Sequence, residues 1–309
     1  MQAQAESIPK ASRPSLQPLV SIVLPTYNRA DRLQTALQSC LRQTYRNLEV
    51  IVVDDGSTDR TPEVVAAVQR EDPRVRYFRQ ENQKLPAALN AGFRLSTGEF
   101  LTWISDDNQF HEDAIEVMAN ALSASPDVGL VYCDYNLVDA EGHFIRRVRR
   151  PGPECISHRN CVHACFMYRR EVYETVGDYD PHWLYVEDYD YWLRVSKRFK
   201  LMHIPDVSPY SCAMHEGNLT MQLGPKQRLL DVQHRVRHAE PIGKKLRMFV
   251  ATREEVCDLY SKLGNWRKAA LAGLVFGLSE PWRRWKWLHA VKMVRNALRV
   301  KSGSTLSRT

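Results

Sequence analysis

Four short constellations along the 309-residue chain hold the side chains best placed to do chemistry: Pro25-Thr26-Tyr27-Asn28, Asp54-Asp55-Gly56-Ser57, Ser105-Asp106-Asp107-Asn108 and Glu187-Asp188. Two neighbouring carboxylates repel each other, so an adjacent pair calls for a cation or for hydrogen-bond donors. Mg²⁺ and Mn²⁺ prefer oxygen ligands of this kind. A lone carboxylate beside a hydroxyl can instead take its proton as a general base. Each group also has a bland reading. Asp and Ser satisfy backbone donors in turns, and Asp54 is assigned mainly to that work. Asp188 suits a helix N-cap or first turn, where the macrodipole favours an acid; capping and base catalysis do not exclude each other. No GxGxxG or GxxxxGK[ST] segment occurs, which disfavours a dinucleotide-binding Rossmann site and a P-loop.

The elements that must position these groups read as alternating strand and helix. Leu19–Leu24, Leu48–Val53, Val75–Phe78, Glu99–Ile104 and Val128–Tyr132 are short apolar runs typical of strands buried on both faces. Between them Leu33, Ala36, Leu37, Cys40 and Leu41 fall at helical spacing, Pro62 opens a helix, and Ala87–Leu95 and Glu112–Leu122 are helical. Such βαβ units predict an α/β fold with a mainly parallel sheet and ligands at the carboxyl ends of its strands. Two of the carboxylate pairs stand at such ends. From about 133 to 212 the pattern loosens into shorter strands, with a helix starting near Glu187. Helical spacing without strands returns beyond about 222.

Net charge is +7, unevenly spread. Residues 221–309 hold 19 Lys/Arg against 6 Asp/Glu, which leaves the first 220 net acidic. This division predicts two functional surfaces and argues against a nucleic-acid binder. Seven scattered cysteines suggest reduced thiols and a cytoplasmic setting. The lead 1–18 has no signal-peptide core, and the longest apolar run, Ala269–Leu278, is well short of the ~20 residues a membrane span needs.

The order and spacing of the four motifs resemble family 2 glycosyltransferases of the GT-A fold (Rossmann-like, a mainly parallel sheet flanked by helices), over roughly residues 19–220. The likeness is to inverting, metal-using members that contribute to bacterial surface polysaccharides of the cell envelope. It implies a nucleotide diphosphate sugar as donor, UDP favoured, and a glycan or lipid-linked acceptor. By this resemblance Asp55 hydrogen-bonds the base, Tyr27 stacks on it with Pro25 and Thr26 shaping the pocket, and Asp106 meets the ribose. Asp107 binds a divalent cation, Mn²⁺ or Mg²⁺. The adjacent Asp106-Asp107 replaces the spaced DxD of many relatives, so further ligands must come from phosphate, water or another segment. His215, in Met214-His215-Glu216-Gly217-Asn218, is such a segment, with a surface-loop histidine as its alternative. Asp188 is the implied general base, beside Glu187, and Trp183 and Tyr185 face the acceptor or belong to the core.

Lys84 meets the base or diphosphate, or is a solvated loop lysine. His158, Cys161, His163 and Cys165 are too compressed for a structural zinc site and are expected near the acceptor pocket or in the core. The basic extension 221–300 carries Trp266, Trp282, Trp285 and Trp287 among Lys and Arg. It suits peripheral contact with an anionic membrane, packing on the catalytic domain, or an oligomer contact; 301–309 reads as a disordered tail. Two further readings are carried: a sugar-nucleotide nucleotidyltransferase, against which the Pro25–Arg29 loop argues, and a degenerate docking domain, against which the full set of carboxylates argues.

Overall fold

The computed structural model describes residues 17–157, 159–215 and 217–218. The predicted extension 221–300, the tail 301–309, most of the lead 1–18 and His158 lie outside the described residues. The elements in order are β1 (Val20–Thr26), α1 (Ala30–Leu41), β2 (Leu48–Asp54), α2 (Thr61–Glu71), β3 (Val75–Arg79), α3 (Lys84–Leu95), β4 (Phe100–Trp103), β5 (Gln109–Phe110) and α4 (Ala114–Ala124). There follow β6 (Val128–Cys133), β7 (Tyr135–Val138), β8 (Phe144–Val148), β9 (Phe166–Arg169), α5 (Arg170–Val176), α6 (Glu187–Val195), β10 (Lys200–Ile204) and β11 (Tyr210–Ala213).

A seven-stranded sheet has the order β10-β6-β9-β4-β1-β2-β3. β1 and β2 are buried along their whole length, which is why they read as unbroken apolar runs rather than alternating ones. On α1 the buried residues are Leu33, Ala36, Leu37, Cys40 and Leu41, the stripe the spacing predicts. Gly92 lets α3 approach the sheet, because a Cβ there would fall 2.3 Å from Val23 Cγ1.

The mainly parallel sheet is as expected, with one departure. β9 runs antiparallel between β4 and β6. Its composition is that of any buried strand, and composition carries no direction. A second, four-stranded sheet, β5-β11-β7-β8, is made by strands that come after the carboxyl ends of β4, β6 and β10 in the chain. The chain winds from β1 outward to β3 and then returns to the other flank of β1 as β4. This reversal opens a crevice between the ends of β1 and β4, where open α/β sheets bind ligands.

Candidate functional site

A cleft of about 520 Å³ occupies that crevice. Pro25, Thr26, Tyr27, Asp55, Asp106, Asp107, Tyr185, Glu187 and Asp188 all line it, so nine predicted site residues from four separate segments converge. Arg29, Trp103, Asn160, His163 and Asn218 line it as well.

The wall formed by β1, β2 and β4 is closely tied. Asn28, at a φ of 52°, receives a bond from the Thr58 amide (2.7 Å) and gives its own amide to Ser57 Oγ (2.9 Å), locking the ends of β1 and β2 together. Asp54 is fully buried and holds the turn: its Oδ1 accepts from the Ser57 amide and its Oδ2 from the Tyr77 hydroxyl. Gly56, at a φ of +84°, makes that turn possible. Asp55 faces the cleft. Its Oδ1 accepts from Gln80 Nε2 (2.8 Å) and the Gln83 amide (2.9 Å), its Oδ2 from the Lys84 amide (2.8 Å). Three donors leave the carboxylate room for one more. The turn reading and the binding reading of Asp55 therefore coexist. Lys84 contributes through its backbone; its side chain is exposed and does not line the cleft.

Thr26 donates its hydroxyl to Asp106 Oδ2 (2.7 Å). Burial pushes the Asp106 carboxyl up to about 7, and neighbouring Asp107 adds to the rise, while the Thr26 hydroxyl and the charge of Arg29 oppose it. Asp107 Oδ2 accepts from Asn218 Nδ2 (3.1 Å) and lies 3.0 Å from His215 Nε2. A tight turn presents both partners: the His215 amide donates to Asn218 Oδ1 (2.6 Å), and Arg29 Nη2 donates to the Gly217 carbonyl (2.8 Å). Asp107 Oδ1 is buried without a partner among the described residues. A carboxylate oxygen left bare beside an imidazole, in a cleft, is a donor set suited to a divalent cation. The described residues also include an exposed group, Asp139, Glu141 and His143, whose ligand atoms lie within 4.8 Å of one another and could hold a metal. It belongs to the β7–β8 turn, outside the cleft lining, and Asp139 already accepts from the amides of Glu141 and His143.

The opposite wall is α6 and the segment between β8 and β9. Asp188 Oδ2 accepts from Asn160 Nδ2 (2.7 Å) and Oδ1 from the Tyr189 amide (2.7 Å). Burial raises the Asp188 carboxyl, against the Asn160 bond, the Tyr189 amide and the charge of Arg150. Burial likewise raises Glu187, and Asp188 beside it adds to the effect. The Glu187 Oε2 has no partner among the described residues. Tyr185 reaches the cleft at a φ of 83°, a conformation rare for an aromatic residue. Trp183 sits in a single 3₁₀ turn, Pro181–Trp183, and does not line the cleft. Of the compressed His/Cys group, Cys161 and Cys165 are buried in the core and His163 lines the cleft. Asn160, Arg29, Trp103 and Asn218 are among the cleft residues to which the motifs gave no role of their own.

A sequence model described as glycosyl transferase family 2 matches residues 21–177, just over half of the chain. The chain belongs to this family. An uncharacterised glycosyltransferase of Rickettsia typhi is 34% identical over 194 residues, covering 58% of this chain and 60% of that protein. A chondroitin synthase of Escherichia coli is 27% identical over 208 residues, 66% of this chain and 30% of the synthase. The family 2 chain thus spans less than two thirds of the length of either relative. Among solved structures, S. aureus TarS 1-349 in complex with UDP-GlcNAc superposes with a TM-score of 0.64 at 15% identity, over 92% of each chain. The mannosyltransferase PcManGT of Pyrobaculum calidifontis, in complex with GDP-Man and Mn²⁺, gives 0.57 at 22% identity, over 95% of this chain and 90% of that one. At such identities the likeness concerns the fold, which is GT-A. No helix among the described residues is long and apolar enough to cross a membrane.

Proposed function

We propose that this family 2 chain is an inverting, metal-assisted glycosyltransferase that moves a sugar from a nucleotide diphosphate sugar, UDP favoured, to a hydroxyl of a glycan or lipid-linked acceptor. The observation that carries the reading is the single cleft in which Asp55, Asp106 and Asp107 stand on one wall and Asp188 on the other. A transfer without a covalent intermediate needs a donor-binding wall and a base on the far side of the anomeric carbon.

In this reading Asp55 uses its last acceptor position for a base N–H, Tyr27 stacks on the base with Pro25 and Thr26 beside it, and Asp106 accepts from the ribose. Asp107 and His215 are the residues that would hold the cation. When bound, a divalent cation neutralises the diphosphate and stabilises it as leaving group. Asp188 takes the acceptor proton as the hydroxyl oxygen attacks. Burial raises its neighbour Glu187 and the charge of Asp188 adds to the rise, while Asp188 holds two hydrogen-bond donors that favour its ionised form. Tyr185 offers an aromatic face to the acceptor. We assign 19–220 to the catalytic domain; a contact of the basic extension with a membrane surface fits a lipid-linked acceptor.

Calorimetric titration of UDP, GDP, dTDP and CDP, each with Mn²⁺ and again with chelator, tests the reading. Metal-dependent binding of one nucleotide, lost in Asp107→Ala, supports it. Binding of none under either condition overturns it in favour of a docking domain.

A further inference from the structure

We propose, building on the reading of Asp188 as the base, that Asn160, braced by Arg150, is a positioning residue that aims the Asp188 carboxylate into the cleft. Asn160 belongs to no helix or strand; it lies in the long connection between β8 and β9. Its amide cannot turn over, because Oδ1 accepts from the His163 amide (3.0 Å). That bond directs the NH₂ end to Asp188 Oδ2 at 2.7 Å. The Tyr189 amide holds the other oxygen at 2.7 Å. With one donor on each oxygen the carboxylate is fixed in rotation, and about two of its four lone-pair positions remain for a substrate hydroxyl.

The connection needs its own support, since His163 adopts a φ of 62°, in the left-handed region that few residues other than glycine occupy. Arg150 supplies it. Its Nε donates to the Cys161 carbonyl (2.9 Å) and its Nη2 to the Asn160 carbonyl. Its guanidinium also lies over the Tyr135 ring. The Arg150 amide in turn donates to Asp134 Oδ1 (2.8 Å), and buried Asp134 is held by Arg147 Nη2 (2.9 Å) and His203 Nε2 (2.8 Å). A continuous hydrogen-bonded path therefore runs from β10 through the end of β6 and Arg150 to the base on α6. The charge of the Arg150 guanidinium also favours the ionised form of Asp188.

The titratable and charged groups around Asp188 are Glu187 on the same helix, Tyr179 and Tyr185 from the segment before it, and Arg150 and His163 from the opposite connection. Like the Tyr189 backbone amide, the Asn160 side chain donates to the ionised form. Removing it leaves burial less opposed, and the carboxyl must rise.

The test uses the full chain labelled with ¹³C at aspartate Cγ and titrated from pH 4 to 9, with the Asp188 signal identified by its disappearance in Asp188→Asn. In Asn160→Ala the Asp188 midpoint should rise by about one pH unit. UDP release from UDP-GlcNAc with Mn²⁺ should fall about tenfold in kcat with the donor KM unchanged, as expected when a base is misaligned while the donor still binds as before. Arg150→Lys, which keeps the charge but removes the two-carbonyl brace, should lower kcat in the same way with a smaller midpoint shift. Thermal unfolding shows that each variant is folded, and Asn160→Ser replaces Asn160→Ala if the latter is not. An unchanged midpoint and an unchanged kcat in the Asn160 variant overturn the proposal. Undiminished transfer by Asp188→Asn overturns the base assignment instead, and the titration still reports whether Asn160 governs that carboxyl.

Discussion

The two walls of the cleft are built on different principles. On the proposed donor side, Asp55 and Asp106 follow the two parallel strands that flank β1, and their oxygens are met by groups at the ends of regular elements, the Lys84 amide at the start of α3 and the Thr26 hydroxyl at the end of β1. On the proposed acceptor side, Asp188 is held by a side chain from a connection with no regular structure. Non-glycine residues at positive φ occur on both sides, Asn28 and Lys84 on the first and His163 and Tyr185 on the second. A nucleotide presents the same base, ribose and diphosphate whichever sugar it carries, so the regular sheet can serve it. Acceptors differ, and irregular segments are where a fold can change a pocket without disturbing its core.

The comparison implies that damage should separate cleanly into chemistry and binding. Asp188→Asn is the most severe test. Losing a general base costs about 10²- to 10⁴-fold in transfer rate, while UDP affinity measured by calorimetry should stay within about twofold, because the donor wall is untouched. Coupled loss of both would show that the walls are not independent. Asp107→Ala is the converse. Nucleotide binding should lose its dependence on Mn²⁺ and weaken by about 10- to 100-fold, in line with the removal of a metal-holding group, and the Asp188 carboxyl titration should be unmoved.

This asymmetry also sets what could be read from the sequence. The donor wall was legible because apolar runs of strand length end in Asp54-Asp55 and Asp106-Asp107, and βαβ order puts such ends on one side of a sheet. The first turn of α6 was legible for a similar reason: two acids stand where a helix begins. Asn160 was not, because an amide with its partner 28 residues away leaves no periodic trace. The one signal nearby was the run of polar and thiol residues from His158 to Cys165, too compressed for zinc yet too polar for an ordinary strand. Its physical cause is now visible: the segment is half core, through Cys161 and Cys165, and half cleft wall, through Asn160 and His163. The second sheet escaped notice because its strands run only two to five residues.

Asp106 gives a prediction of intermediate size that concerns stability. Burial holds its folded-state carboxyl at about 7, far above the unfolded value. Between the two values the native state binds the proton more tightly than the unfolded chain. Stability therefore falls as pH rises from about 4 to about 7, and the loss persists at higher pH. Asp106→Asn removes that penalty. The unliganded variant should melt higher than the parent at pH 8, roughly 2–4 °C for each kcal/mol recovered, and the difference should vanish near pH 4. A variant that melts lower at pH 8 would mean that ionised Asp106 is better compensated by Thr26 and Arg29 than its burial suggests.

The smallest effect should come from Tyr77→Phe, which probes how redundant the donor wall is. The Tyr77 hydroxyl donates to Asp54 Oδ2 at 2.6 Å, and the Asp54 side chain is fully buried. Removal alone would leave a buried carboxylate oxygen short of a donor. Arg79 Nε, however, stands 3.9 Å from the same oxygen, on a half-exposed side chain anchored by its Nη2 to the Ser57 carbonyl (2.7 Å), so its charge still faces Asp54. The Ser57 amide still holds Oδ1, so the turn that presents Asp55 keeps its shape. The expected cost is about 1 kcal/mol of stability, read by denaturant unfolding, with UDP affinity unaltered. Loss of nucleotide binding in this variant would show that Asp54 does more than hold the turn, and that strain at the end of β2 reaches Asp55, the carboxylate proposed to bind the base.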